Sequence, residues 1–221
     1  MYNTVIFDLD GTLLNTIEDL ADAVNYVQGK YNIEKHSVDM VRKNVGNGIR
    51  NLMIRSVPLG EENSKFEEMY QCFREYYQKH CQVKTAAYPG IMELLEALHS
   101  MGIKMAIVSN KAHPAVVELN NIYFKSYISI AIGENEAAGI QKKPAPDSVN
   151  HALKLLGSKK EETIYVGDSE VDYATAENSG LKCVLCSWGF RDRKQMESFK
   201  PMAIIDKPED LLKIIKSCRQ Y

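Results

Sequence analysis

Long apolar runs are missing from this chain of 221 residues. A helix that crosses a bilayer needs about 20 mostly apolar residues in a row, and no stretch approaches that. Cysteine is sparse and odd in number: Cys72, Cys81, Cys183, Cys186 and Cys218. A disulfide framework is therefore not expected. Cys183 and Cys186 have the C-x-x-C spacing but fall in a strand-like run. Residues three apart on a strand point to opposite faces, which argues against a metal or redox pair. Excess charge is also lacking. Lysine and arginine number 27 against 29 acids, a formal net charge of -2, with no sign of a general nucleic-acid binder. Repeats and low-complexity segments are absent. The first strand starts almost at the N-terminus, leaving no room for a signal peptide. The expected location is the cytoplasm, with no nucleic-acid or membrane partner.

What remains is ordinary globular composition, 45% hydrophobic and 25% charged, with strong patterning. Thr4 to Leu9 is an apolar run that reads as a buried strand. It carries Asp8 and Asp10 one residue apart, and Gly11 follows as a turn signal. On a continuing strand both carboxylates would share one side. Buried carboxylates are costly unless something compensates them, and a hard cation is the natural compensation.

From residue 16 to about 83 the pattern is helical. Ile17, Leu20, Ala21, Val24 and Tyr31 fit one face, and Ile49, Leu52, Met53 and Val57 a second. Phe66, Met69, Tyr70, Phe73 and Tyr77 fit a third, after a break at Pro58-Leu59-Gly60. Beyond it, strands at 104–109, 127–133, 163–166, 183–187 and 203–206 alternate with helices. One of these is opened by Pro89-Gly90 and buries Met92, Leu95 and Leu98; the last runs from Pro208 to Cys218. Such alternation predicts an α/β fold: a Rossmann-like three-layer core around a mainly parallel sheet. The core is expected from residues 1–14 and 84–221, with a small helical insertion at 15–83.

Ligands of open parallel sheets bind beyond the carboxyl ends of the strands. Those ends carry Asp8 and Asp10, Ser109-Asn110, and Asp168 with Asp172 four residues on; Lys142-Lys143-Pro144 precedes a helix. Acids beside a lysine make a poor anion site alone. With a divalent cation added they suit phosphate, and all-oxygen donors favour Mg2+.

Asp8-Leu9-Asp10-Gly11-Thr12, Ser109-Asn110, Lys143-Pro144-Ala145-Pro146-Asp147 and Gly167-Asp168-Ser169-Glu170-Val171-Asp172 resemble, in order, the four motifs of the haloacid dehalogenase-like superfamily. The insertion resembles its helical cap. Val45-Gly46-Asn47-Gly48, Ser109-Asn110-Lys111 and Trp188-Gly189-Phe190-Arg191 bring the chain nearest the phosphoglycolate phosphatases of that family; Asn15-Thr16 departs from the Asp-Ser of many relatives.

The resemblance implies a Mg2+-dependent phosphatase acting on a small phosphorylated metabolite, 2-phosphoglycolate first, through an aspartyl-phosphate. Asp8 is the implied nucleophile and Asp10 the general acid and base. Lys143, directly before proline, neutralises phosphate and positions Asp8; Lys142 is left to the surface. Asp8, Asp168 and the Asp10 carbonyl are the implied metal ligands, with Asp172 behind them. Thr12, Ser109, Asn110 and Arg50 are the implied substrate contacts. Asp19, Asp22, Glu134 and Glu136 are assigned to the surface. Competing readings are a phosphomutase resembling β-phosphoglucomutase, a pyrophosphatase, and a binding protein without catalysis. Dehalogenation is disfavoured, since it has no use for Asp10. Monomer and homodimer are both open.

Overall fold

The computed structural model describes residues 1–217; Cys218, and with it the expected end of the last helix, lies outside the described residues. The chain runs β1 (Thr4–Phe7), β2 (Leu14–Asn15), α1 (Ile17–Lys30), α2 (Val38–Asn44), α3 (Gly48–Ser56), α4 (Phe66–His80) and β3 (Ala86–Ala87). It continues α5 (Ile91–Ser100), β4 (Lys104–Ala112), α6 (His113–Tyr123), β5 (Ile130–Glu134), α7 (Asp147–Leu156) and β6 (Thr163–Gly167). It closes with α8 (Glu170–Ser179), β7 (Lys182–Cys186), α9 (Arg193–Ser198), β8 (Ala203–Ile205) and α10 (Glu209–Ser217). It forms two units, Leu14–Ala86 and the remainder. No helix among the described residues is long and apolar enough to cross a membrane.

In the α/β unit the described residues form a six-stranded sheet ordered β5-β4-β1-β6-β7-β8, parallel at every junction. All four residues of β1 are buried. A central strand of a parallel sheet is covered on both faces, so its sequence reads as an unbroken apolar run. One face packs Ile6, Val108, Ile132, Tyr165 and Leu185 against Val149, Ala152 and Leu153 of α7 and Ala176 of α8. The chain builds from β1 toward β5, then returns to the other side of β1 for β6. That reversal opens a crevice at the carboxyl ends around β1.

Several boundaries differ from the sequence pattern for local reasons. β1 stops at Phe7 rather than Leu9, because the Leu9 carbonyl accepts from Leu13 N at 3.0 Å and the chain has already turned. β5 begins at Ile130 rather than Tyr127, since the amides of Tyr127 and Ile128 bond back to Phe124 O, each at 2.8 Å. On α5 the buried face is Ile91, Leu94, Leu95 and Leu98, while Met92 points outward. The short helices α2 and α9 have no periodic stripe to betray them, each burying one residue, Val41 and Met196. Their only sequence signal is the cap: Ser37 accepts from Met40 N and Asp192 from Gln195 N. Cys183 and Cys186 are buried in β7, and all four described cysteines are free.

The unit Leu14–Ala86 is helical, with α1 packed on α4. Asp19, expected at the surface, is 2% exposed. Its carboxylate accepts from Lys84 N at 2.9 Å, Thr85 N at 2.9 Å and Thr85 Oγ1 at 2.8 Å. An acid in the first turn of a helix suits the macrodipole, and partners 65 and 66 residues away fix it there. Asp19→Ala strands those donors, and unfolding in denaturant should show a loss on the order of 3 kcal/mol. A loss below 0.5 kcal/mol would mean that water replaces the carboxylate without cost.

Candidate active site

Four sheet ends and a loop bring the polar residues together. Asp8 follows β1, and its amide still donates to Val166 O of β6 at 2.9 Å. Gly11 makes the exit with φ +93, and a Cβ there would lie 2.4 Å from Asp168 Oδ2. Only glycine allows both the turn and the close approach. Asp168 follows β6, and its Oδ2 accepts from Phe190 N, in the loop after β7, at 2.6 Å. Trp188 of that loop donates from Nε1 to Thr12 O at 3.0 Å.

Lys143 lies at the centre. Its Nζ donates to Asp8 Oδ1 at 2.6 Å, Asp172 Oδ1 at 2.7 Å and Tyr165 Oη at 3.2 Å. An ammonium has three hydrogens, and these contacts account for them. Its hydrogen bonds therefore hold Asp8 and Asp172 in place. Asn110 seats the lysine: its Oδ1 accepts from Lys143 N at 2.7 Å and its Nδ2 donates to Lys143 O at 3.1 Å. Both ends of that amide are thereby committed to backbone.

Asp172, in the first turn of α8, is engaged on both oxygens. Oδ1 accepts from Lys143 and, at 3.0 Å, from the Tyr165 hydroxyl. Oδ2 accepts from Asp168 N at 3.2 Å and Ser169 Oγ at 2.6 Å; it also accepts from Ser169 N at 3.2 Å while Ser169 Oγ accepts from Asp172 N at 3.4 Å, which makes a capping box. Tyr165 is the participant that the sequence pattern hid. It lies on β6 with 0% exposure and has the setting of a core residue; its only signal is a hydroxyl between Ile164 and Val166, two residues before Gly167.

Oxygens of Asp8, Asp168 and Asp172 lie within 4.8 Å of one another, all buried. Were all three ionised, one ammonium would leave two negative charges uncompensated. Burial pushes the Asp8 carboxyl up to about 7, opposed by Lys143 and assisted by Asp172. Burial likewise drives Asp168 well above the usual carboxylate range, with Asp172 and Asp8 adding to it. Burial acts on Asp172 in the same sense, but Lys143 and the bonds from Ser169 and Tyr165 hold it below its ordinary value. Lys143 stays charged despite burial because Asp172 and Asp8 face it. The lysine thus serves Asp172 and Asp8, and the residual charge centres on Asp8 and Asp168. A divalent cation fits that cluster in sign and donor chemistry.

Asp10 stands outside this cluster by its carboxylate, which is held by Lys111 Nζ at 3.1 and 3.4 Å. Ser109 is buried, and its Oγ accepts from Lys111 N at 3.2 Å. Thr12 is buried beneath the turn, its hydroxyl 4.0 Å from Cys186 Sγ. Arg50 belongs to the helical unit. There it pairs with Glu61 at 3.0 Å and with Glu67, and its guanidinium lies 5.0 Å from the Phe66 ring centre.

A doubly wound α/β core with an aspartate-lysine cluster at the carboxyl ends of its strands is the arrangement that the four sequence motifs lead one to expect. The chain belongs to the haloacid dehalogenase-like hydrolases, whose family model matches residues 5–186. A phosphoglycolate phosphatase of Aquifex aeolicus is 32% identical over 213 residues, 96% of this chain and 95% of that protein. The pyrophosphatase PpaX of Bacillus mycoides is 31% identical over 214 residues, 96% of each. The crystal structure of a proposed phosphoglycolate phosphatase from Lactobacillus delbrueckii subsp. bulgaricus superposes with a TM-score of 0.91 at 32% identity. It covers 97% of this chain and 98% of that one.

Proposed function

We propose that this hydrolase is a Mg2+-dependent phosphatase that cleaves a small phosphorylated metabolite, 2-phosphoglycolate first, through an aspartyl-phosphate on Asp8. The observation that carries this reading is the cluster of three buried carboxylates, Asp8, Asp168 and Asp172, two of which share Lys143. Lys143 holds Asp8 Oδ1, which leaves the other oxygen, Oδ2, to attack phosphorus. As that bond forms, the bond from phosphorus to the leaving oxygen breaks, and Asp10 gives this oxygen its proton. Asp10 then takes a proton from water, whose oxygen attacks the same phosphorus and releases Asp8 and phosphate.

Bound at Asp8 and Asp168, a magnesium ion would supply the positive charge that lets a phosphate anion approach a carboxylate. Asp172 and Tyr165 orient Lys143 and the Asp168 turn, and Asn110 acts as a brace rather than a ligand. Ser109 faces a phosphate oxygen. Under the same reading the unit Leu14–Ala86 is the family's cap. A pyrophosphatase is the second reading, favoured by the Bacillus mycoides relative at nearly the same identity.

A phosphate-release screen over small phosphorylated metabolites and pyrophosphate tests both. Release should vanish in EDTA and return with Mg2+; release indifferent to chelation would remove the metal from the mechanism. Since Asp8 holds a proton up to about pH 7 in the metal-free protein, protons compete with the cation. The Mg2+ concentration for half-maximal rate should therefore fall from pH 6 to pH 8. Turnover of a phosphosugar without phosphate release would identify a mutase instead.

A further inference from the structure

The end of β4 carries more than a serine. Its register with β5 runs Ala106 to Ile130, Ile107 to Ala131 and Val108 to Ile132, then jumps to Ala112 with Glu134. Ser109, Asn110 and Lys111 thus stand opposite the single residue Gly133. A bulge of this kind bends a strand and re-aims its side chains. Here the bulge is wedged in place: a Cβ on Gly133 would lie 2.4 Å from Lys111 O and 2.6 Å from His113 Cα. The Lys111 backbone amide bonds Ser109 Oγ at 3.2 Å, and the Gly133 amide donates to His113 Nδ1 at 3.2 Å. The Lys111 side chain is 10% exposed, although lysine ordinarily keeps its ammonium in water. A bulge, a glycine and a buried stem together deliver one ammonium to Asp10.

In the mechanism proposed above, Asp10 hands its proton to the leaving oxygen. That oxygen must then lie against the Asp10 carboxyl, to which Lys111 Nζ is bonded at 3.1 Å. A leaving group with its own negative charge close to the scissile oxygen would bring that charge to Lys111. We propose that Lys111 is a specificity-determining residue. It selects phosphate compounds whose leaving group carries a second anion next to the scissile oxygen, either a carboxylate or a further phosphate. The inference rests on the phosphatase reading and narrows it to a substrate class that excludes esters of uncharged alcohols. Both substrates proposed above meet that requirement: in 2-phosphoglycolate and pyrophosphate the second anion sits one atom or no atoms beyond the bridging oxygen.

The test compares kcat/KM for phosphate release from 2-phosphoglycolate and from ethyl phosphate, with Mg2+, in the parent chain, Lys111→Met and Lys111→Arg. The parent should favour 2-phosphoglycolate. In Lys111→Met the ratio of the two values should fall by about ten- to a hundredfold, the worth of one hydrogen bond to a charged group, chiefly through KM. Lys111→Arg should keep most of the ratio. A ratio is untouched by a partly inactive preparation, and Lys111→Gln provides it if Lys111→Met has no activity left. Equal losses on both substrates would overturn the inference, because Lys111 would then act only by holding Asp10. So would a parent enzyme that treats the two substrates alike. A parent that releases phosphate from neither compound, nor from any other in the screen, defeats the phosphatase reading itself, an outcome distinct from either.

Discussion

Asp8→Asn should abolish phosphate release, by on the order of 10⁴-fold or more, while leaving the fold intact. The amide has the shape of the carboxylate but cannot form the aspartyl-phosphate. Stability separates this loss from misfolding. Burial raises the Asp8 carboxyl to about 7 in the folded chain, against about 3.9 for an unfolded aspartate. The folded state therefore holds a proton that the unfolded state has released. The resulting penalty is absent below about pH 4 and grows until the pH passes about 7. In EDTA at pH 8, Asp8→Asn should accordingly melt no lower than the parent, and any advantage should shrink as the pH falls toward 4. Rates from purified protein and melting curves at the two pH values check both halves. Substantial turnover by Asp8→Asn would remove the covalent mechanism. A melting point many degrees below the parent would mean that Asp8 is chiefly structural.

Lys143→Met should have the largest effect on stability and should lower the rate as well. The parent ammonium lies 2.6 Å from one carboxylate and 2.7 Å from another, and its side chain is 4% exposed. Methionine fills much the same volume and removes the charge, leaving Asp8, Asp168 and Asp172 without a cation among them. Breaking a buried pair by deleting one partner costs about 3–5 kcal/mol. That loss should appear in denaturant unfolding at pH 8 in EDTA. It should lessen as the pH falls, because Asp8 and Asp168 take up protons well above the usual carboxylate range. Added Mg2+ should recover part of the stability but little of the rate, since Asp8 has lost the group that orients it. A variant as stable as the parent at pH 8 would show that the three carboxylates share protons without needing the lysine.

Much of this molecule is legible from short windows. The apolar run before Asp8 could only be a covered strand, and the Pro and Gly punctuation placed most helices of the core within a few residues. The motif residues also fall at the strand ends that a parallel sheet makes functional, so their grouping at one edge followed from topology alone. Short helices escaped because one buried residue makes no period. Asp19 was misplaced because nothing near it in the chain marks it as buried; its partners are the amides of Lys84 and Thr85. Tyr165 escaped because nothing in the sequence separates a tyrosine that bonds a buried carboxylate from one that only fills the core.

The sequence by itself determined the class of fold and the family. Those properties reside in residue type, period and order, which survive in any window of the chain. Only the tertiary structure decided how the charges are shared. It joined Lys143 to Asp8 across 135 positions and Lys111 to Asp10 across 101, and it left Asp8 and Asp168 short of positive charge. Such pairings depend on which groups packing removes from water and on the distances that remain, and neither quantity exists until the sheet has assembled.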